Sequence, residues 1–123
     1  MMLGVVNSNR EATIRIVIGN QNNQRKVIDG VIDTGFTGFL SLPLAIITEF
    51  NLLWSYRDRG TLGDGSETIF DIYIGMVIWD GQLRTIEINA ADTEPLVGMS
   101  LLYGYDLRIQ AIEGGTVTIA PLS

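Results

Sequence analysis

A chain of 123 residues with 46% apolar and only 18% charged side chains can bury one sizeable core but not two, so a single domain over residues 1–123 is expected. It holds no cysteine and no histidine, which excludes disulfides, thiol nucleophiles, thiolate or His-ligated metal sites, and every catalytic dyad or triad built on imidazole. Lys and Arg number 8 against 14 Asp and Glu, a net charge of −6 with no basic cluster, which argues against a nucleic-acid partner and leaves carboxylates for acid–base work.

The run from Met1 to Asn7 lacks a basic segment followed by a long apolar core, and no apolar stretch is long enough to span a bilayer. The expectation is a cytoplasmic protein with no membrane partner. Residues 13–18 alternate and are rich in β-branched side chains, which predicts a strand with Ile14, Ile16 and Ile18 facing inwards. A loop at 19–23 then turns the chain into a return strand over 26–33, apolar on both faces as for a strand in the middle of a domain. That strand ends in Asp33-Thr34-Gly35, where an acid between an apolar run and a glycine marks the break of a buried strand into a turn facing a cleft.

After Gly38, residues 39–42 read as a short strand and 43–50 as a helix, with Pro43 in the first turn and Leu44 and Ile47 on one face. Residues 54–80 form a second β unit. Its first hairpin is tipped by Gly63-Asp64-Gly65, between the arm 59–62 and the arm 67–70. A long alternating strand over 72–79 follows, and an Asp80-Gly81 turn leads into a strand over 83–88. A loop at 90–95 precedes Leu96-Val97-Gly98, a short buried strand entering a helical turn or two that Gly104 closes. A last hairpin pairs 107–112 with 116–119. The fold class that results is all-β, with one or two short helices.

Three of these landmarks together resemble the retroviral-type, retropepsin-like single-domain aspartic proteases, including their bacterial members. They are the apolar strand ending in Asp33-Thr34-Gly35, the glycine-tipped hairpin some thirty residues on, and Leu96-Val97-Gly98 before a short helix; their order covers residues 12–120. The resemblance implies a closed, mostly antiparallel β barrel and an aspartic endopeptidase without metal or cofactor. Two Asp33 carboxylates from a homodimer would share a proton, because two negative charges so close cannot both persist, and would activate a water against the peptide bond. It further implies that Thr34 bonds across the dimer axis and that Gly35 gives a backbone donor to the carboxylate. Gly63, Asp64 and Gly65 would tip a flap over an extended peptide or protein substrate, while Leu96, Val97 and Gly98 would line pockets or support the catalytic loop. In viral relatives the chain ends interleave in a shared sheet, to which residues 116–119 would contribute here.

The chain departs from that pattern at two places. Phe36 stands where many relatives carry Ala or Ser, so it supplies no hydroxyl to the outer oxygen of the aspartate, and Met99 stands where viral members carry an Arg paired to an acid, with Thr37 as a replacement hydroxyl. These departures keep open a dimeric binding or scaffold module that has lost catalysis, and beyond it an unrelated small barrel whose Asp33-Thr34-Gly35 is only a turn. Asp29 reads as a structural or surface acid, Asp64 as solvated, and Trp54 and Trp79 as packing residues. The remaining acids are scattered singly, so no metal site is expected.

Overall fold

In the computed structural model, which describes residues 1–61 and 63–123, ten strands join in one sheet accompanied by two short helices. Strand β1 (Met2–Val6) leads to β2 (Ala12–Gly19), whose Ile14, Ile16 and Ile18 are buried as their alternation predicts. The hairpin to β3 (Arg25–Ile32) is organised by Asn20, a buried polar side chain with both ends satisfied. Its Oδ1 accepts from the N–H groups of Asn22 and Gln24 at 2.9 and 3.1 Å, and its Nδ2 donates to the Phe50 carbonyl at 2.8 Å. One amide thereby shapes the turn and ties it to the end of a helix.

β3 differs from its expected burial on two faces. Ile28 and Gly30 face the core, whereas Val27 is 57% exposed and Asp29 lies outside, paired across the strands to Arg15 at 3.4 Å. Asp29 is thus the surface acid that the sequence predicts. β1 is a strand that pattern reading did not identify, because Leu3 and Val5 point outwards and no apolar–polar alternation marks it. Its identity comes from pairing, antiparallel to the strand Thr116–Pro121 on one side and to β2 on the other.

β4 (Leu40–Leu42) precedes helix α1 (Leu44–Glu49), which Pro43 caps from an extended conformation. Leu44 is exposed, and the buried stripe of this helix is Ile47 with Phe50 just beyond it, one turn later than Leu44 and Ile47. β5 (Leu53–Thr61) and β6 (Glu67–Trp79) make the glycine-tipped hairpin. β6 turns at Asp80 and Gly81, both with positive φ, into β7 (Gln82–Ala90); this is the handedness that a two-residue hairpin needs and that an Asp-Gly pair tolerates. β8 (Leu96–Val97), helix α2 (Met99–Leu102), β9 (Tyr105–Ile109) and β10 (Thr116–Pro121) complete the chain. No helix is long and apolar enough to cross a membrane among the described residues.

The strand order is β5-β6-β7-β4-β8-β3-β2-β1-β10-β9, and β6 pairs with β2 as well, so the neighbour relations among β2, β3, β8, β4, β7 and β6 close into a ring. An all-antiparallel arrangement does not hold: β3 runs parallel to β8, and β4 parallel to β7. Parallel neighbours need crossover connections, and here the segments between β3 and β8 and between β4 and β7 provide them. Leu40, Leu42, Val77, Ile88, Val97 and Ile119 are fully enclosed within one hydrophobic cluster, joined by Trp79, whose ring meets Tyr105 edge-on at 6.0 Å. Trp79 is the packing residue expected of it.

Leu40 holds the short central strand in register at the heart of this cluster. Leu40→Ala should cost about 2–5 kcal/mol and lower the urea midpoint without changing the slope of the transition; a loss below about 1 kcal/mol would show that this site collapses around the missing methyls.

Candidate active site

Asp33 is placed by backbone, one residue past the end of β3. Val31 and Ile32 pair with Leu96 and Val97, and the Asp33 N–H donates to the Val97 carbonyl at 2.9 Å. The chain then turns sharply, with Phe36 N–H donating to the Asp33 carbonyl at 3.1 Å and Gly35 N–H donating to Asp33 Oδ1 at 2.9 Å. The carboxylate is therefore fixed from both sides of its own residue, half-buried and facing outwards. Gly35 provides the backbone donor expected of it, and a Cβ there would stand 3.3 Å from the same oxygen.

The second half of the site is the start of α2. Gly98 N–H donates to the Phe39 carbonyl at 3.0 Å, Met99 N–H to that of Phe36 at 2.8 Å and Ser100 N–H to that of Gly38 at 3.1 Å. A side chain at Gly98 would collide with the Gly38 and Phe36 carbonyls, so only glycine lets the two segments close. The Phe36 ring explains a further glycine, since a Cβ at 38 or at 98 would each lie 2.6 Å from one of its carbons. Phe36 thus fills the space that two glycines leave.

Ser100 is the residue that sequence reasoning missed. Its Oγ donates to the Thr37 carbonyl at 2.6 Å, tying α2 to the Asp33 loop where no Arg is available. The signal was present: Ser100 is the polar residue within an otherwise apolar run from Pro95 to Tyr103. Thr37 participates through its carbonyl, not through the hydroxyl expected of it.

Two grooves of about 530 and 600 Å³ adjoin the β5–β6 arms, and Gly35, Phe36, Thr68, Phe70 and Asn89 border both. The second is bordered by Asp33 and Leu96, the first by Tyr56, Glu87 and Ser100. Phe70 packs on Gly60 across the hairpin, so a Cβ there would lie 3.0 Å from its ring. The Tyr56 hydroxyl is pushed above its ordinary range by its hydrogen bond to the Glu87 carboxylate. Asp71 is held below the usual carboxylate range because the Trp54 indole N–H and the Arg57 guanidinium both donate to it at 3.1 Å. Trp54 is 57% exposed and spends its N–H on that bond, so it is not the packing residue expected.

At the hairpin tip Asp64 accepts from Ser66 N–H at 2.9 Å and Ser66 Oγ at 2.6 Å, which lowers its pKa; Gly65 takes the positive φ that the turn requires. Gly63 and Gly65 have open space around them, and Leu62 of the expected arm lies outside the described residues. Val97 is fully buried in the core; it reaches the site through its carbonyl on Asp33 and does not line a groove. Thr34 faces the other way, exposed beside a third cavity of about 810 Å³ between the β1–β2 connection and the β9–β10 hairpin. Glu11 borders that cavity and is held low by Asn7, while the neighbouring Glu94 is pushed up by sharing a hydrogen bond with Glu11.

Asp33, Gly35, Leu96 and Gly98 are thus brought together, Thr34 stands on the adjoining face, and the tip residues 63–65 stand apart. No three acid side chains gather as a metal would need among the described residues. In comparisons with known proteins, no family model matches the chain and no curated protein matches it.

Gly98→Ala should destabilise the fold by about 1–3 kcal/mol, because the colliding atoms are backbone, and should shift the Gly35 amide resonance; an unshifted amide would show that the loops close without this contact. Ser66→Ala should return Asp64 towards the ordinary carboxylate pKa in a carboxyl-carbon NMR titration. Because the folded pKa is the depressed one, the contribution of Asp64 is present above the unfolded pKa and is lost as pH falls through the folded value, so the variant should differ from wild type above that window and converge with it in acid.

Proposed function

We propose that the chain is an aspartic endopeptidase with a retropepsin-like barrel, working as a homodimer in which two Asp33 carboxylates share one proton. The observation that carries this reading is the lock on Asp33: a carboxylate oriented by the Gly35 N–H, at the crossing of two interbonded loops, beside a groove bordered by the long β5–β6 hairpin. The ionised member of the pair takes a proton from a water as that water attacks the scissile carbonyl. The protonated member donates to the carbonyl oxygen, and no covalent intermediate forms. The β5–β6 hairpin closes over the peptide, excluding water and offering backbone groups to an extended strand.

The pairing pattern narrows how two copies would meet. β10 is bonded to β1 on one edge and to β9 on the other, so residues 116–119 have no free edge for a shared sheet. The surface carrying Thr34 and the adjoining cavity, one residue on from Asp33, would be the face on which two copies meet. There the exposed Thr34 hydroxyl would bond the partner loop.

Phe36 favours a second reading, that of a dimeric binding module without catalysis, because it gives no donor to the outer oxygen of Asp33. A peptide mimic bearing a statine-type hydroxyl separates the two, since it binds tightly only where the acids share a proton. For the enzyme reading, peptide-mixture proteolysis by wild type should drop by at least about a thousandfold in Asp33→Asn, the scale on which removing an essential group slows an enzyme. Identical cleavage by both proteins would end it.

A further inference from the structure

The groove beside Asp33 contains a polar group that the chain itself leaves unanswered. Leu40 and Leu42 point into the core, so Ser41 between them projects to the opposite face, where its register neighbours are Asn89 on β7 and Leu96 on β8, both bordering the groove. Ser41 is only 3% exposed, and its hydroxyl has no hydrogen-bond partner among the described residues. A buried hydroxyl without a partner costs about 1–3 kcal/mol, a cost removed when a ligand group reaches it.

The charge of the same groove is one-sided. Its border includes Asp33, Asp71 and Asp92 and no Lys or Arg. Asp71 is already engaged by Trp54 and Arg57, whereas Asp92, exposed on the loop after β7, has no ion-pair or side-chain hydrogen-bond partner among the described residues. Between these polar points Ile69, Phe70 and Leu96 form an apolar wall. We infer that this groove is a substrate subsite for a lysine or arginine side chain, its head group donating to Ser41 Oγ and pairing with Asp92. A long stem against the wall and a cationic end suit that combination. A neutral polar side chain would answer Ser41 alone, and an apolar one would bury the hydroxyl unpaired.

The inference rests on the endopeptidase reading for its substrate, a peptide, and its test is separable from that reading. Lysine is walked through an otherwise apolar peptide, against the same series with norleucine, and binding to the full-length Asp33→Asn protein is measured by calorimetry. Lysine at one position on either side of the peptide centre should bind about tenfold tighter than norleucine there. That preference should fall to about threefold or less in Asp92→Asn, and Ser41→Ala should reduce it further when combined. Equal affinities at every position, or no binding of either series, would overturn the subsite. Retained lysine preference together with identical proteolysis by wild type and Asp33→Asn would leave the subsite standing and remove the catalysis instead.

Discussion

The structure depends on the interlock between the loop after β3 and the start of α2. Three N–H groups of residues 98–100 and one hydroxyl meet four successive carbonyls of residues 36–39, within a space that only a glycine at 98 leaves open. Backbone groups buried away from water must be paired, and here each segment is the other's partner. The direction in which Asp33 points is therefore set by a contact more than sixty residues away in sequence.

The ring of strands turns one alternation into two environments. Along β4 and β8 the residues Leu40, Leu42 and Val97 enter the core, and their neighbours Ser41 and Leu96 face the groove. A pleated strand separates the two sets with a period of two, so the core and the groove wall share one backbone without sharing side chains. That separation permits a polar residue such as Ser41 on so short a strand. Had the register slipped by one residue, the hydroxyl would lie among leucines and isoleucines.

Phe36 and Ser100 belong together as local solutions. An aromatic ring directly after the Asp33 turn needs room, which Gly38 and Gly98 provide, and a loop shaped around that ring is held at its far side by the Ser100 hydroxyl. A different pair of residues would hold the same loop with a salt bridge. Here a neutral hydrogen bond does so, at no cost in charge desolvation. At the other end of the sheet, β1 saturates β10, which restricts any assembly of two copies to surfaces other than that strand.

Alternation and turn chemistry in the sequence by themselves determined the strands β2, β6, β7 and β10, the Asp80-Gly81 and 63–65 turns, and the placement of Asp33 where a strand breaks, because these follow from contacts a few residues long; β9 they placed at 107–112, whereas it runs Tyr105–Ile109 and residues 110–112 leave the sheet. The family resemblance implied a backbone donor at Gly35 and a supporting place for Gly98; that a side chain at Gly98 would collide with backbone came only from the structure. What alternation and turn chemistry did not determine was everything set by pairing between distant segments. β1 became a strand only because β10 and β2 accept it, the parallel pairs β3–β8 and β4–β7 arise from crossovers that no local pattern records, and Val97 proved to be core while Leu96 beside it faced the groove. Trp54, Ser41 and Ser100 took their roles from neighbours seventeen to sixty-three residues away. Short-range periodicity thus fixes which residues can be strand or turn, and only the closed ring decides which face of each strand meets water, core or groove.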